Sequence, residues 1–321
     1  MDEATQPRFA GPGEMVTAAL VARRYYFDNC SKVQIAGELG MTRFKVARLL
    51  EVARTSGMVR ITVVRAGSLE LDLSEELRER FGLRHAVVVN TTRGNDAQTR
   101  DQVGEVAAEL LSEITTPDDV LGIGWARVVL AMAAKLRGLR ADRIVQLTGA
   151  LTRPDVEASS VEVVRSVAQR ARAESSVFYA PMIVSDVETA QGLLRQEQVA
   201  DAVARFDAVT KAVVGVGGWD PPSSTLHDAL SPAERDLMRR GGVHADLSGV
   251  LLDAHGDAVE TPLSGRIIAI TAPQLRRIPE VIGIAYGVHK VSAAHAAIRG
   301  GYLHTLVTHT DFAQQLLRES R

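Results

Sequence analysis

The sequence predicts an α/β protein in two parts, a helical and winged helix-turn-helix head over residues 1–65 and a Rossmann-like, doubly wound sheet over residues 66–321. Three observations predict it. Apolar residues recur at three- and four-residue spacing through three short segments before residue 56. Beyond them, short β-branched runs alternate with helical patterns, the arrangement of a mainly parallel sheet with helices on both faces. Charge also changes sign between the parts: residues 1–66 carry ten Lys and Arg against six Asp and Glu, and the remainder carries 27 against 33.

The head is read first. From Glu14 to Asn29, Met15, Ala18, Ala19, Ala22, Tyr25 and Tyr26 fall on one helical face. Ser31 is placed to cap a short second helix that buries Ile35, Ala36 and Leu39, and Gly40 supplies the positive φ of a tight turn. Thr42 caps a third helix whose inner positions are Val46, Leu49, Leu50 and Ala53. A small residue at the crossing, a glycine in the turn and apolar locks on the following helix together define a helix-turn-helix. The first turn of the third helix then carries Arg43, Lys45 and Arg48, which reach either base edges or phosphates of double-stranded DNA. Lys32 and Thr42 flank them, and Phe44 either meets a thymine methyl or packs on the preceding helix. Met58–Val64 is expected to form a strand or wing, with Arg60 and Arg65 near the nucleic-acid backbone. The alternative is a protein-docking module with a solvated basic face.

Residues 66–76 read as a linker, and Leu69–Phe81 as a helix stopped by Gly82. Candidate strands follow at Ala86–Val89, Val120–Ile123, Arg143–Gln146, Val177–Tyr179, Ala212–Val216, Val250–Leu252, Ile267–Thr271, Val281–Tyr286 and Leu306–Thr308. In such sheets ligands sit beyond the carboxyl ends of the strands, where helix amides attract anions. Two loops fit, Gly122–Arg127 and Gly215–Asp220; their glycines serve either a ligand or only the turn. Lys290 follows the strand Val281–Tyr286 at the start of a helix, either adding charge to an anion site or standing as a surface lysine. Asp246 either accepts hydrogen bonds from ligand hydroxyls or caps its turn.

Composition excludes several classes. With 46% hydrophobic and 24% charged residues, 321 residues can bury a sizeable core. Apolar stretches fall short of the roughly 20 residues of a membrane helix, and the N-terminus lacks a basic start followed by an apolar run, so a cytoplasmic protein without membrane contact is expected. Cys30, the one cysteine, is expected to be structural. The eight histidines form no ligand spacing, so neither metal nor cofactor is expected, and no G-x-S-x-G elbow occurs.

The segments GELGMTRFKVARLLEVARTSGMVRI, DLSEELRERFGL, DDVLGIGW, IVQLTGAL, GVGGWDPPSSTL and IPEVIGIAYGVHKVSAAHAAIRGGYLHTLVT, in this order, resemble the SorC family of sugar-responsive transcriptional regulators. The resemblance covers nearly the whole chain. It implies a C-terminal domain similar in fold to sugar-phosphate isomerases and deaminases but used for binding, and typical effectors that are phosphorylated sugars. By the same resemblance, Gly124, Trp125 and Arg127 meet the effector, Gln146 and Gly149 follow the next strand, and Asp246 and Lys290 complete the site. Two departures from the family pattern involve three positions. Ala126 and Val128 stand where W-G-x-T would place a glycine and a hydroxyl, and His309 stands where an aspartate is usual. These departures bring an unphosphorylated sugar or polyol into consideration and make the pocket more neutral or pH-sensitive.

The expected function is regulation of transcription: paired heads of a homodimer or homotetramer bind an operator, and a small carbohydrate, phosphorylated or not, changes their spacing. The competing reading is an enzyme that isomerises or deaminates a sugar phosphate, with Lys290 and Asp246 as acid–base partners.

Overall fold

The computed structural model describes residues 11–59, 68–91, 95–151 and 158–319, which divide into two compact units, Met1–Val64 and Arg65–Arg321. In the first, α1 (Pro12–Tyr26), α2 (Lys32–Glu38) and α3 (Arg43–Thr55) enclose a small core of Ala18, Val21, Ile35, Val46, Leu49 and their neighbours. Local chemistry sets the boundaries. Ser31 and Gln34 form a reciprocal capping box at α2, Gly40 turns with φ +60°, and Thr42 Oγ1 accepts from the Lys45 N–H at 3.2 Å. The buried stripe of α1 is Ala18, Val21 and Ala22; Met15, Ala19 and Tyr26, expected inside, are exposed. Alternating small residues left the phase of that helix open by one position. Met58 and Val59 pack on this core, and the rest of the expected wing, with Arg60 and Arg65, lies outside the described residues.

The second unit opens with α4 (Leu71–Phe81), ended by Gly82 at φ +63°, so the expected linker is shortened by a helix that starts at Leu71. Then come β1 (His85–Val89), α5 (Asp96–Ile114), β2 (Val120–Ile123), α6 (Arg127–Lys135), β3 (Arg143–Gln146), α7 (Ser160–Ala171) and β4 (Glu174–Ser176). Helices α8 (Val187–Leu194) and α9 (Glu197–Ala204) lead to β5 (Lys211–Gly215) and the short β6 (Gly217–Gly218). Next are α10 (Thr225–Ala229), α11 (Pro232–Arg240), β7 (Ala245–Leu247) and β8 (Val250–Leu252). The chain closes through α12 (Ala272–Arg277), β9 (Glu280–Ile284), α13 (Val291–Arg299), β10 (Thr305–His309) and α14 (Thr310–Glu319).

Seven strands form one parallel sheet in the order β1-β10-β9-β5-β2-β3-β4. Its side chains alternate between two cores: Ala212 and Val214 join one face and Val213 the other, as do Leu306 and Val307. The doubly wound reading therefore stands, with three corrections. Val177–Tyr179 is not a strand; the edge strand is the polar Glu174–Ser176, which carries no β-branched signal. Ile267–Thr271 makes only isolated bridges, Ile267 to Ile183 and Ala269 to Thr148. Val250–Leu252 is a strand, but in a separate antiparallel sheet ordered β6-β7-β8.

Candidate functional site

The chain crosses from one half of the large sheet to the other between β2 and β5, so the loops after these adjacent strands diverge and leave a crevice at their carboxyl ends. A pocket that opens to solvent occupies that crevice. Its walls are the start of α6, the loop after β5, the β7–β8 turn, and Tyr286 and Lys290 beyond β9.

Of the residues singled out from sequence, Trp125, Arg127, Asp246 and Lys290 line this one cavity. Trp125 is fixed there because its Nε1 donates to the Ala158 carbonyl at 2.8 Å. Asp246 is buried on β7: its Oδ2 accepts from Ser224 Oγ at 2.6 Å and its Oδ1 from the Gly249 N–H at 2.9 Å. Burial pushes its carboxyl up, against the opposing pull of these two hydrogen bonds and of the Lys290 charge. Lys290 closes a 3₁₀ turn, Val288–Lys290, and its Nζ lies 4.8 Å from the centre of the Tyr286 ring. Burial, with the Arg127 charge nearby, lowers Lys290 to about 8, while Asp246, Asp96 and Asp228 act the other way.

Three expected contacts are placed elsewhere. Gly124 lies behind the lining, where a Cβ would overlap Ser248 Oγ, so its role is close packing. Gln146 is 0% exposed and its amide is spent inside: Nε2 donates to the Thr148 carbonyl and Ser160 Oγ, and Oε1 accepts from the Phe178 N–H. Gly149 packs against the backbone of Pro181 and Met182 and donates to the Ile268 carbonyl. His309 also stands off the cavity lining; its Nε2 accepts from the Gly287 N–H at 3.1 Å, and burial lowers its pKa.

Val128, in the position noted as lacking a hydroxyl, does line the cavity. Hydroxyls enter instead from Ser223, Ser224, Thr225 and Ser248, none of them anticipated. No group of three or more His, Cys, Asp or Glu among the described residues is placed to hold a metal ion.

The head presents a second surface. Thr42, Arg43, Phe44, Lys45 and Arg48 are exposed along the first turns of α3. Phe44 is 86% exposed and therefore does not pack on α2, which corrects the packing alternative. Arg48 pairs with Glu14 of α1 at 2.5 Å, and Lys32 Nζ sits 5.7 Å from the Tyr25 ring centre. No helix among the described residues is long and apolar enough to cross a membrane.

A family model described as "Putative sugar-binding domain" matches residues 67–318. Transcriptional regulator LsrR of Klebsiella pneumoniae subsp. pneumoniae is 31% identical over 319 residues, spanning 97% of this chain and 96% of the relative. The sorbitol operon regulator of Klebsiella pneumoniae is 27% identical over 303 residues, spanning 93% and 96%. Its crystal structure, that of the full-length regulator SorC, superposes with a TM-score of 0.73 at 25% identity, covering 96% of this chain and 100% of that one.

Proposed function

Because this chain belongs to the SorC family of sugar-binding transcriptional regulators, we propose that it is a DNA-binding regulator whose grip on its operator is set by a small carbohydrate held in the β2/β5 crevice. The observation that carries this reading is the cavity itself, where an acid, Asp246, and two cations, Arg127 and Lys290, converge on one sheltered space. A polyhydroxylated ligand fits such a lining: the carboxylate accepts from its hydroxyls, and the cations and the amides opening α6 receive oxygens or an ester phosphate. Sugars, polyols and sugar phosphates are the candidate effectors.

The cavity binds and does not turn over its ligand in this reading. Asp246 is held by Ser224 and by the Gly249 amide, an arrangement that fixes a carboxylate as a stationary acceptor. Recognition of DNA rests on the exposed first turns of α3, with Arg43 and Lys45 toward the major groove. One such head reads only a few base pairs, so the working form is a homodimer or homotetramer whose heads engage two half-sites. The effector acts by binding one arrangement of heads more tightly than another; tight but equal binding to both would change nothing.

The test is binding of the purified protein to the DNA upstream of its own gene, at two salt concentrations, against a panel of sugars, polyols and their phosphates. Sequence-preferring binding altered by one member of the panel is the expected result. Turnover of a sugar phosphate without any preference for that DNA would favour the enzyme instead.

A further inference from the structure

The hairpin that carries Asp246 reverses direction through two residues. Leu247 of β7 pairs with Val250 of β8, and the intervening Ser248 and Gly249 both have positive φ, 53° and 92°. Two-residue turns of this hand favour Asn or Gly first, because a side chain on a left-handed residue crowds its own backbone. A serine stands there nonetheless. It is 7% exposed, it lines the cavity, and its Oγ has no hydrogen-bond partner among the described residues. A buried hydroxyl without a partner in a disfavoured backbone conformation is the pattern of a group kept for a ligand.

What that ligand group is follows from the opposite wall. Helix α6 starts there with Ala126 at its cap position, so no side chain satisfies its first amides. Gly124, two residues earlier, lies directly beneath Ser248 Oγ. Arg127 opens the helix, and Lys290 reaches the same cavity. Helix amides, a guanidinium, an ammonium and a free hydroxyl are all donors, and together they call for an oxyanion.

We propose that Ser248 is a specificity-determining residue, whose hydroxyl donates to an oxyanion of the effector seated between the β7–β8 turn and the start of α6. This rests on the effector reading of the cavity. A phosphate ester and a sugar carboxylate share this chemistry, and the probes separate them.

The experiment titrates full-length protein, followed by tryptophan fluorescence since Trp125 lines the cavity, with inorganic phosphate, D-gluconate and the neutral polyol D-sorbitol. Ser248→Ala, Ser248→Gly and Lys290→Ala are compared with wild type. Phosphate or gluconate is expected to bind wild type, and loss of the hydroxyl should weaken the favoured anion about tenfold, as for one hydrogen bond to a charged group. Whichever anion shows that loss identifies the oxyanion. Any sorbitol affinity should be unchanged by Ser248→Gly. This variant should melt no lower than wild type, because glycine accepts the positive φ, so weakened binding in it cannot come from misfolding.

A well-folded Ser248→Gly with unchanged anion affinity would overturn the proposal, as would a wild type that binds sorbitol and neither anion. If Lys290→Ala alone abolished binding, the cavity reading would stand and the role of Ser248 would fall. If no probe bound and Lys290→Ala left the operator response to the full effector panel intact, both would fall.

Discussion

The backbone N–H of Gly287 donates to His309 Nε2 at 3.1 Å, so the end of β10 holds the turn that presents Lys290. Burial keeps His309 below the ordinary histidine range, and hence neutral and able to accept. Replacing it with Leu should leave a buried N–H unsatisfied, at a cost of about 1–3 kcal/mol, and loosen the Lys290 turn. Effector affinity should fall severalfold while effector-free DNA binding is unchanged; calorimetry and a gel-shift titration check the two halves. Because the unfolded chain takes up this proton first, wild-type stability should also decline as pH falls below about 6.5, and His309→Leu should lose that component.

Lys290 sits at about 8 through burial and the neighbouring Arg127 charge. Affinity for an anionic effector should therefore drop as pH rises through about 8 in wild type. Lys290→Arg, charged throughout this range, should bind with a flat profile if its bulk is accommodated. In the unliganded protein the sign is opposite: the unfolded chain holds the proton up to its ordinary value of 10.5, so stability should rise across the window from about 8 to 10.5. Melting curves with and without effector at several pH values separate the two effects.

At the other end of the sheet, Asp119 is buried and pairs with Lys211 at 2.7 Å. Burial alone would raise its carboxyl, but the hydrogen bonds from Lys211, Thr116 and Thr210 outweigh it and hold the group at about 2. The stabilisation is complete above 3.8 and is lost as pH falls toward 2, a contribution of about 2 kcal/mol. Asp119→Asn should be less stable at neutral pH and show a shallower acid transition by circular dichroism.

On the head, Phe44→Ala should leave stability within about 0.5 kcal/mol because the ring is 86% exposed. Operator affinity should nevertheless fall at least severalfold if the ring meets DNA. Lys45→Ala should weaken binding to all sequences alike and reduce the slope of log affinity against log salt by about 1. Arg48→Ala removes a group that also braces α1 through Glu14, so it should lower both DNA affinity and the melting point of the head.

A side chain at Gly215 would collide with the Cβ of Ala126. Gly215→Ala should cost about 1–3 kcal/mol, and Ala126→Gly in the same chain should recover most of it. Thermal unfolding of the two single variants and the double variant closes this cycle.

Much of this architecture was legible in the residues. Ser31, Gly40 and Thr42 mark helix boundaries by chemistry that acts within a few positions, and strands buried on both faces stand out as β-branched runs. The misreadings share a physical origin. The edge strand Glu174–Ser176 is half solvated and needs no apolar residues, and the two-residue β6 is defined by pairing with β7 alone. At the site, Asp246 and Lys290 announced themselves by charge beside strand ends. Ser248 did not, because its significance lies in a dihedral angle and an absent partner. Gln146 misled for the converse reason: a polar residue at a strand terminus looks available until its three hydrogen bonds are traced inward.

The small sheet β6-β7-β8 carries Asp246 and Ser248 yet shares no strand with the large sheet that leads to Arg127 and Lys290. A ligand gripping both would act as a rivet across two sheets that otherwise meet through apolar side chains such as Leu247, Leu252, Ala212 and Val214. Amide hydrogens of residues 245–252 should then exchange at a rate set by local opening when the cavity is empty, and slow toward that of the central strands once it is filled. Occupancy would thus be legible as a change in cooperativity of the domain, even where no atom moves far.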